Sequence, residues 1–361
     1  MLGESFIFRN KKKGEEGRVM KINKNDLQVA LERVRPGLAT RELIDQATSF
    51  AFFGDRVVTY NDEISISHPV KKLNLEGAVK AQALYDFLGR VKKDEIDLEQ
   101  EQNQIIIKAG RCRAGLIFEQ EVRLPLDEEL SKINSIKWKE LPDDFLEALK
   151  FCHPCCSADM SRPELTCLYI QGNQVEASDS YRIVRYNLKS FMPVDSFLIP
   201  ATAVRNLIKY DVKEIAKGQS WVHFRTADGT IFSSRIYLGE YVNTAPYLEI
   251  EGFEFIFPKE IMEVLERAHV FSKTEIKNVI SEAVIEIGKN RIKVSAKNES
   301  GWFEEAVRNV YDGEPIKFTV GVDFLRDLFS KVRNCLISQN KICFRGTNWV
   351  HVVATSVVEA E

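Results

Sequence analysis

The sequence predicts an α+β protein built from three tandem copies of one unit of about 118 residues. The first observation is a ten-residue pattern that occurs at Val79–Leu88, Ile199–Ile208 and Val320–Phe329, at intervals of 120 and 121 residues. Its apolar positions lie three and four residues apart, as Val204, Leu207 and Ile208 do. Residues at this spacing share one face of a helix, so each copy predicts a helix.

An earlier helix is predicted in each copy, at intervals of 118 and 116 residues: Leu27–Val34, Phe145–Cys152 and Ile261–Ala268. Residues suited to a helix N-terminus precede each one, namely Asn25-Asp26, Asp143-Asp144 and Pro258. The second observation is therefore that an earlier helix, with its N-terminal residues, recurs together with the ten-residue pattern.

Strands are predicted between and after these helices. Gly54, Gly172 and Gly288 each open a turn before an alternating run, at Val57–Thr59, Val175–Ala177 and Ile292–Ala296. A further strand follows the second helix at Ile105–Lys108, Val222–Arg225 and Ile342–Arg345. Helices then cover one face of antiparallel sheets. Because exposed sheet edges tend to pair, we expect the copies to join edge to edge in an arc that a second molecule can close.

The composition is that of an ordinary globular protein, with 361 residues, 44% hydrophobic, 29% charged and a net charge of −3. The charge balance gives no overall attraction to nucleic acid or membrane, so such binding would need local patches. No apolar run is long enough to span a membrane, and no secretory signal is evident. Seven cysteines without regular spacing fit a reducing compartment, so we expect a cytoplasmic protein.

The repeat predicts three domains, at 20–139, 140–251 and 252–361. Residues 1–19 form a separate N-terminal extension with a basic run at Lys11–Lys13. This extension is an expression tag, an upstream start before Met20, or a basic arm.

Several segments resemble those of one family. They are Arg162–Thr166, Ala177–Ile183, Phe197–Pro200, Gly110–Arg113 and Leu238–Tyr241. In order and spacing they resemble the bacterial DNA sliding clamp, the β subunit of DNA polymerase III, over Met20 to about Val353. The resemblance implies three DNA-clamp domains that form half of a toroidal ring. Two chains would join head to tail as a homodimer around double-stranded DNA, with helices inside and sheets outside.

The resemblance also implies a function without catalysis and without a cofactor. Such a ring is a processivity factor that holds DNA polymerase on its template. Its partners are duplex DNA of any sequence, DNA polymerase, a clamp loader and other proteins with a clamp-binding motif.

A clamp that slides must contact phosphates and not base edges. Basic residues on both predicted helices of every copy suit this purpose, and Arg41 falls where the family has a DNA-contacting loop arginine. The predicted DNA-binding residues are Arg33, Arg35, Arg41, Arg90, Lys150, Arg205, Lys209, Lys259, Arg267, Arg326 and Lys331. The alternative is that each is only a solvated surface charge.

Family clamps bind a linear peptide in an apolar pocket between their second and third domains. Carried over position by position, the pocket residues are Leu165, Ser178, Ser180, Tyr181, Arg182, Ile183, Val242, Pro246, Tyr247, Val352, Ala354 and Ser356. Ser180 replaces a glycine of the family motif, Val242 replaces a proline, and Ala354–Val357 replaces the Met-Pro-Met-Arg-like tail. We therefore expect a pocket of altered shape with a weaker or different motif preference.

The resemblance places the dimer interface at Ala114, Val270 and Phe271. Ala114 stands where the family has a phenylalanine, so we expect a repacked or weaker closure.

Other signals are weak. Cys152-His153-Pro154-Cys155-Cys156 is spaced too tightly for a usual zinc site and is interpreted as semi-buried thiols. No phosphate-binding glycine loop and no catalytic set stands out, and Asp179 is interpreted as a turn residue. Two alternatives stay open: a specialised clamp of a phage or mobile element, and a DNA-processing enzyme on a clamp-like fold.

Overall fold

The computed structural model describes residues 19–126, 137–273 and 280–357. Apart from Val19, the predicted N-terminal extension lies outside the described residues.

The first copy begins at Met20. Its elements are strand β1 (Met20–Asn23), helix α1 (Lys24–Val34), strands β2 (Ser49–Gly54), β3 (Arg56–Tyr60), β4 (Ile64–Pro69) and β5 (Leu75–Lys80), helix α2 (Ala81–Arg90), and strands β6 (Glu95–Glu101), β7 (Gln104–Ala109) and β8 (Cys112–Glu119).

The second copy has the same order of elements. They are β9 (Lys139–Glu140), α3 (Phe145–Cys152), β10 (Cys167–Gln171), β11 (Gln174–Ser178), β12 (Arg182–Asn187), β13 (Phe197–Pro200), α4 (Ala201–Leu207), β14 (Val212–Lys217), β15 (Trp221–Thr226) and β16 (Ile231–Arg235). A connecting segment with the short helix α5 (Ala245–Leu248) follows.

The third copy contains β17 (Phe253–Ile256), α6 (Ile261–Ser272), β18 (Glu282–Gly288), β19 (Arg291–Asn298), β20 (Gly301–Arg308), β21 (Ile316–Gly321), α7 (Val322–Phe329), β22 (Asn334–Ile337), β23 (Lys341–Arg345) and β24 (Trp349–Ala354). A two-residue strand, β25 (Ser356–Val357), ends the described chain. One strand, a helix, four strands, a helix and three strands thus occur three times, which confirms the predicted α+β class and the repeated order of elements.

The second helix of each copy starts two residues later than predicted. Ile199 and Pro200 are the last residues of β13, and the equivalent residues end β5 and β21. The residue before each helix is extended: Lys80 has ψ 121°, Pro200 ψ 137° and Gly321 ψ 118°. Each strand therefore runs directly into its helix, and periodicity alone could not separate the two.

Two of the residue sets predicted for helix N-termini lie there: Asn25 and Asp26 are in the first turn of α1, and Asp144 directly precedes α3. Asn23 caps α1, because its side-chain oxygen accepts hydrogen bonds from the backbone N–H groups of Asn25 (2.8 Å) and Asp26 (3.1 Å). Asp144 stands at the start of α3, but its carboxylate accepts from the backbone N–H of Lys189. It therefore ties the loop after β12 to the helix and does not cap it.

The described chain divides into two compact units. Unit 1 holds the residues up to 126 and Arg225–Ser233, and unit 2 holds Lys137–Phe224 and Ser234 to 357. Within unit 1 the strand order is β1-β6-β7-β8-β5-β2-β3-β4. The three predicted domain boundaries stay predictions.

Unit 2 contains a sheet shared by the second and third copies, with the order β13-β10-β11-β12-β24-β23-β22-β17. The copies meet where β12 pairs with β24, with Ile183 opposite Val352 and Val184 opposite His351. A second sheet has the order β20-β19-β18-β21-β25. The edge-to-edge joining of tandem copies, predicted from the cost of exposed edges, is thus present at this junction.

One strand pairing recurs at the same spacing in every copy. The strand before the second helix pairs with the chain 39 residues later: Val79 with Phe118, Leu198 with Tyr237, and Phe318 with Val357. Strand β25 is therefore the third-copy equivalent of the end of β8 in the first copy and of Tyr237, which follows β16, in the second.

Each helix packs an apolar face on its sheet. In the third copy Ile261, Val264 and Leu265 of α6 and Leu325 of α7 are fully or almost fully buried in one cluster with strand residues such as Ile285. Burying each such side chain stabilises the fold by about 1.5–3 kcal/mol. Among the described helices, none is long and apolar enough to cross a membrane.

Candidate functional site

A tight turn between β11 and β12 organises the predicted pocket. The Asp179 carboxylate accepts hydrogen bonds from the backbone N–H groups of Tyr181 (3.1 Å) and Arg182 (3.0 Å). The Ser178 hydroxyl donates to the Arg182 carbonyl (2.9 Å) and accepts from the Ser180 N–H (3.2 Å). Asp179 is therefore a turn residue, as predicted.

Ser180 occupies the left-handed backbone region, with φ +76°. A glycine adopts this conformation without the steric cost that a side chain brings. The Ser180 hydroxyl accepts a hydrogen bond from the Arg162 guanidinium at 3.1 Å. This bond links the turn to the segment that leads to Leu165, which is 2% exposed.

Arg182 is almost buried, with its side chain 10% exposed. Its Nε lies 2.9 Å from the Asp179 carboxylate, and its Nη2 donates to the Pro154 carbonyl at 2.6 Å. It also stacks on Phe324 of α7 and lies 3.9 Å from Asp327. The guanidinium therefore joins the second and third copies, and its Nε and Nη2 atoms donate hydrogen bonds inside the protein.

The floor of the site is apolar and lies on the shared sheet. Leu248 of α5, Cys343 of β23 and Val352 of β24 form a buried cluster, and Ile183 packs against it. Two predicted pocket residues, Ile183 and Val352, are thus direct cross-strand neighbours.

We call Tyr181, Tyr247, Lys341 and Ala354 the rim. The Lys341 ammonium lies 5.5 Å from the centre of the Tyr247 ring, and Lys341 pairs with Ala354 between β23 and β24. The Ala354 N–H donates to the Tyr181 carbonyl at 2.8 Å. Tyr181 and Tyr247 are 50% and 55% exposed, so the rim offers two aromatic rings and one cation to a partner.

The last three predicted pocket residues lie on α5, in the segment before it and in β25. Pro246 is exposed on α5, and Val242 is half-buried in the segment before it. Ser356 is exposed and lies in β25, where it pairs with Thr319 of β21. Sequence reasoning missed Lys341, although its position opposite Ala354 follows from the register of one hairpin.

The predicted DNA-binding residues fall into two groups. Arg267 is already paired, with Nε and Nη2 both 2.8 Å from the Glu305 carboxylate and Glu263 nearby. Arg326 pairs with Asp323 at 3.2 Å, and Arg33 pairs with Asp228 at 3.4 Å. These cations have less unneutralised charge to offer to phosphates.

The second group forms no ion pair with any residue that the structure describes: Arg35, Arg41, Arg90, Lys150, Arg205, Lys209, Lys259 and Lys331. Arg35 stacks on Tyr85, Lys331 lies over Phe151, and Lys209 donates to Asn206. Arg205 is exposed on α4, and Lys209 is exposed just after that helix. The pKa of His153, which follows α3, is lowered mainly by burial and also by the nearby charge of Arg205.

The predicted dimer residues lie beside two strand edges. Val270 is 60% exposed at the end of α6, and the Phe271 ring stacks on Phe303 of β20 at 6.2 Å. Ala114 is half-buried in β8, opposite Ile107. Within the described parts of the chain, β20 pairs only with β19, and Cys112–Ile117 of β8 pairs only with β7.

The cysteines near α3 are neutral thiols. Burial raises the pKa of Cys155 to about 12 and that of Cys152 and Cys156 well above its usual value. The Cys155 sulfur lies 3.9 Å from Nε2 of His351, whose pKa is lowered to about 3 by burial and by nearby Arg182 and Lys331. Across residues 19–126, 137–273 and 280–357, no group of three His, Cys, Asp or Glu side chains is arranged to hold a metal ion.

The threefold order of elements, the sheet shared by successive copies and the two unpaired strand edges define the fold of a bacterial DNA sliding clamp. The chain is similar to the DNA polymerase III subunit beta of Pseudomonas aeruginosa, with a TM-score of 0.81, 18% identity, and coverage of 94% of this chain and 100% of that chain. It is similar to the DNA polymerase sliding clamp of Bacillus subtilis, with a TM-score of 0.78, 17% identity, and coverage of 96% and 100%.

A third similar structure is the beta subunit from DNA polymerase of Streptococcus pyogenes, with a TM-score of 0.80, 18% identity, and coverage of 94% and 100%. No family model matches the sequence, and no curated protein matches it. The likeness establishes the fold predicted from the resemblance, and it favours neither the specialised clamp nor the DNA-processing enzyme.

Proposed function

We propose that this protein is a DNA polymerase sliding clamp, a processivity factor that encircles duplex DNA as a head-to-tail homodimer. It performs no catalysis, and it acts in the cytoplasm as a mobile tether for DNA polymerase. A clamp loader would open and close the ring, and other proteins with a clamp-binding motif would share the same docking site.

The observation that carries this proposal is the pairing rule between copies. At the junction in unit 2, the third strand of the central group (β12) pairs with the last strand of the next copy (β24). By position, β20 and β8 are the equivalent strands at the two ends of the chain. Each has an edge without a partner among the described residues. A second chain that pairs its β8 with β20 would satisfy both edges by the same rule.

DNA contact is proposed for the unpaired cations at Arg90, Lys150, Arg205 and Lys209. Lysine and arginine side chains that reach phosphates loosely hold a duplex without fixing its sequence. We propose a smaller share for Arg267 and Arg326, because acidic neighbours already neutralise them.

Partner docking is proposed at the rim and the apolar floor below it. A linear peptide would bury aliphatic or aromatic anchors against Ile183, Leu248 and Val352. Tyr181 and Tyr247 would then flank the peptide.

Sedimentation tests the proposal, because it reports mass directly. A homodimer has twice the 41.3 kDa mass of one chain. In a second experiment, the loaded protein should remain on circular duplex DNA but leave linear DNA from its ends. Val270→Glu should shift the mass toward the monomer, since it places a charge beside the β20 edge. Phe191→Glu is the matched control, because Phe191 is also exposed but belongs to the loop between β12 and β13. A monomer at all concentrations, or equal retention on linear and circular DNA, would contradict the proposal.

A further inference from the structure

The segment Tyr241–Leu248, which we call the strap, crosses the face of the shared sheet in unit 2. The strap connects the second copy to the third and ends in α5, which carries Pro246 and Tyr247. Beneath it, four residues are successive cross-strand neighbours on β10, β11, β12 and β24: Tyr169, Glu176, Arg185 and Val350.

The strap contacts this row at three places. Tyr241 stacks on Tyr169, with ring centres 5.0 Å apart and planes 22° apart. At the other end, Leu248 is 6% exposed and packs in the cluster that includes Val350. These two contacts are apolar, and apolar contacts are non-directional, so they do not by themselves define the position of the strap along the row.

The middle contact is polar and buried. Glu176 is 5% exposed, and its carboxylate lies 2.7 Å from Nε of Arg185. The Thr244 hydroxyl donates a short hydrogen bond to the other carboxylate oxygen, and Nη2 of Arg185 donates to the Thr244 hydroxyl at 3.5 Å. Thr244 itself is 3% exposed.

Thr244 is the residue directly before α5, and its carbonyl accepts the hydrogen bond of the Tyr247 N–H at 3.0 Å. A helix of four residues has little stability of its own. The hydrogen bonds of the Thr244 hydroxyl with Glu176 and Arg185 are therefore directional contacts between the sheet and the start of α5.

We propose that Glu176, Arg185 and Thr244 are positioning residues for the docking site: they hold the strap so that Tyr247 stands beside Lys341 at the rim. This rests on the proposed docking function. None of the three needs to touch the partner, because Glu176 and Thr244 are buried and the Arg185 side chain is only 21% exposed. Losing the anchor releases α5 and lowers the affinity for a docked peptide.

Removing one member of a buried ion pair leaves an uncompensated charge, whereas replacing both with apolar residues is often neutral for stability. The test therefore uses the double variant Glu176→Val/Arg185→Val, together with Thr244→Val, which leaves the ion pair in place. Thr244→Ser retains the hydroxyl and is the conservative rescue. Glu99→Val/Lys108→Val, which removes a cross-strand ion pair between β6 and β7, is the matched control.

Two measurements are made on the full chain. A labelled Gln-Leu-Asp-Leu-Phe peptide reports docking by fluorescence anisotropy, and hydrogen exchange at the Tyr247 amide reports the strap. We expect the double variant and Thr244→Val to lose about tenfold in affinity and to exchange about tenfold faster at Tyr247, as loss of a charge-assisted hydrogen bond would cause. Thr244→Ser and the control pair should behave as wild type, and thermal unfolding of the double variant should be unchanged.

The two ways to fail are distinguishable. If the wild-type protein does not bind this peptide, either the motif preference of the pocket differs, as the replaced residues predict, or the proposed docking function is wrong. In both cases the exchange at Tyr247 still decides whether the anchor holds the strap. If the peptide binds and Thr244→Val changes neither affinity nor exchange, the positioning role is wrong. An affinity loss that follows only a fall in thermal stability would also overturn it, because that is the signature of a purely structural pair.

Discussion

The guanidinium carbon of Arg182 lies 4.3 Å from the centre of the Phe324 ring. Arg182 belongs to β12 of the second copy and Phe324 to α7 of the third, so one side chain fastens two copies that already share a sheet. Asp327, three residues further along α7, lies 3.9 Å from the same guanidinium. The predicted contact of Arg182 with a partner peptide stays a prediction, and its surroundings also give it a role inside the protein.

Replacing this side chain should therefore destabilise the protein. We expect Arg182→Met to lower the free energy of unfolding by about 2–4 kcal/mol, because Asp179 and the Pro154 carbonyl lose a buried partner. Urea denaturation measures the change. Arg162→Met is the control and should cost less than about 1 kcal/mol, because the Arg162 side chain is 50% exposed. Equal effects of the two variants would show that Arg182 does not join the copies.

Ser180→Gly should stabilise the protein. Glycine adopts the observed φ of +76° without steric cost, and the lost hydrogen bond to Arg162 is at the surface. We expect a gain of about 0.5–1 kcal/mol in the free energy of unfolding, measured by urea denaturation. Gly172→Ala should destabilise the protein, because Gly172 has φ +60°. This effect would come from the backbone alone, since the added Cβ would meet nothing closer than 3.7 Å. If Gly172→Ala is neutral and Ser180→Gly is destabilising, backbone strain is not the controlling factor.

His351 should make stability depend on pH in the acid range. Its folded pKa is lowered to about 3 by burial first and then by Arg182 and Lys331, whereas the unfolded value is about 6.5. Between these values the unfolded chain takes up a proton that the folded chain does not. Stability is therefore complete above about pH 6.5 and falls by up to about 1.4 kcal/mol per pH unit as the pH drops toward 3.

The free energy of unfolding should be measured from pH 7 to pH 4.5 for the wild type and for His351→Leu. The difference between the two profiles separates the contribution of His351 from that of the carboxylates. The slope should be shallower in His351→Leu. Parallel curves for the two proteins would mean that the pKa of His351 is the same in the folded and unfolded states.

Pairing of the basic residues predicts unequal contributions to DNA binding. Arg205→Gln/Lys209→Gln should weaken binding to a short duplex and reduce the salt dependence by about one unit of slope for each lost phosphate contact. Arg267→Gln/Arg326→Gln removes the same number of charges but should have a smaller effect, because Glu305 and Asp323 already neutralise them. Anisotropy titrations over a range of salt concentrations make the comparison. A larger effect from the second pair would place the DNA surface on the third copy.

Much of the fold followed from the sequence because its signals are local. Helical spacing in Val204, Leu207 and Ile208 and alternation in Val175–Ala177 depend on residues a few positions apart. A helix and a strand form at these places, although Ile208 lies directly after the end of α4. The helix starts were misplaced because Pro200 and Lys80 are extended residues that end strands. Neither propensity nor periodicity distinguishes that case from a first helical turn.

The candidate site was predicted only in part. The sequence named both Ile183 and Val352, which pair across the junction of the copies. It did not reveal that Arg182 is buried, since burial depends on Phe324 and Asp327, more than 140 residues away. Nor did it reveal the Thr244 contact with Glu176, which requires the strap to cross the sheet.

The threefold order of helices and strands and the faces that they bury could be read from the amino-acid sequence, because these depend on short-range periodicity that each copy repeats. Which charges remain free depends on contacts between distant parts of the chain. Arg267 meets Glu305 across 38 residues, and Glu176 meets Thr244 across 68. Such pairs depend on strand register and on the path of the connecting segments, which bring distant residues together with no signal in the residues between them.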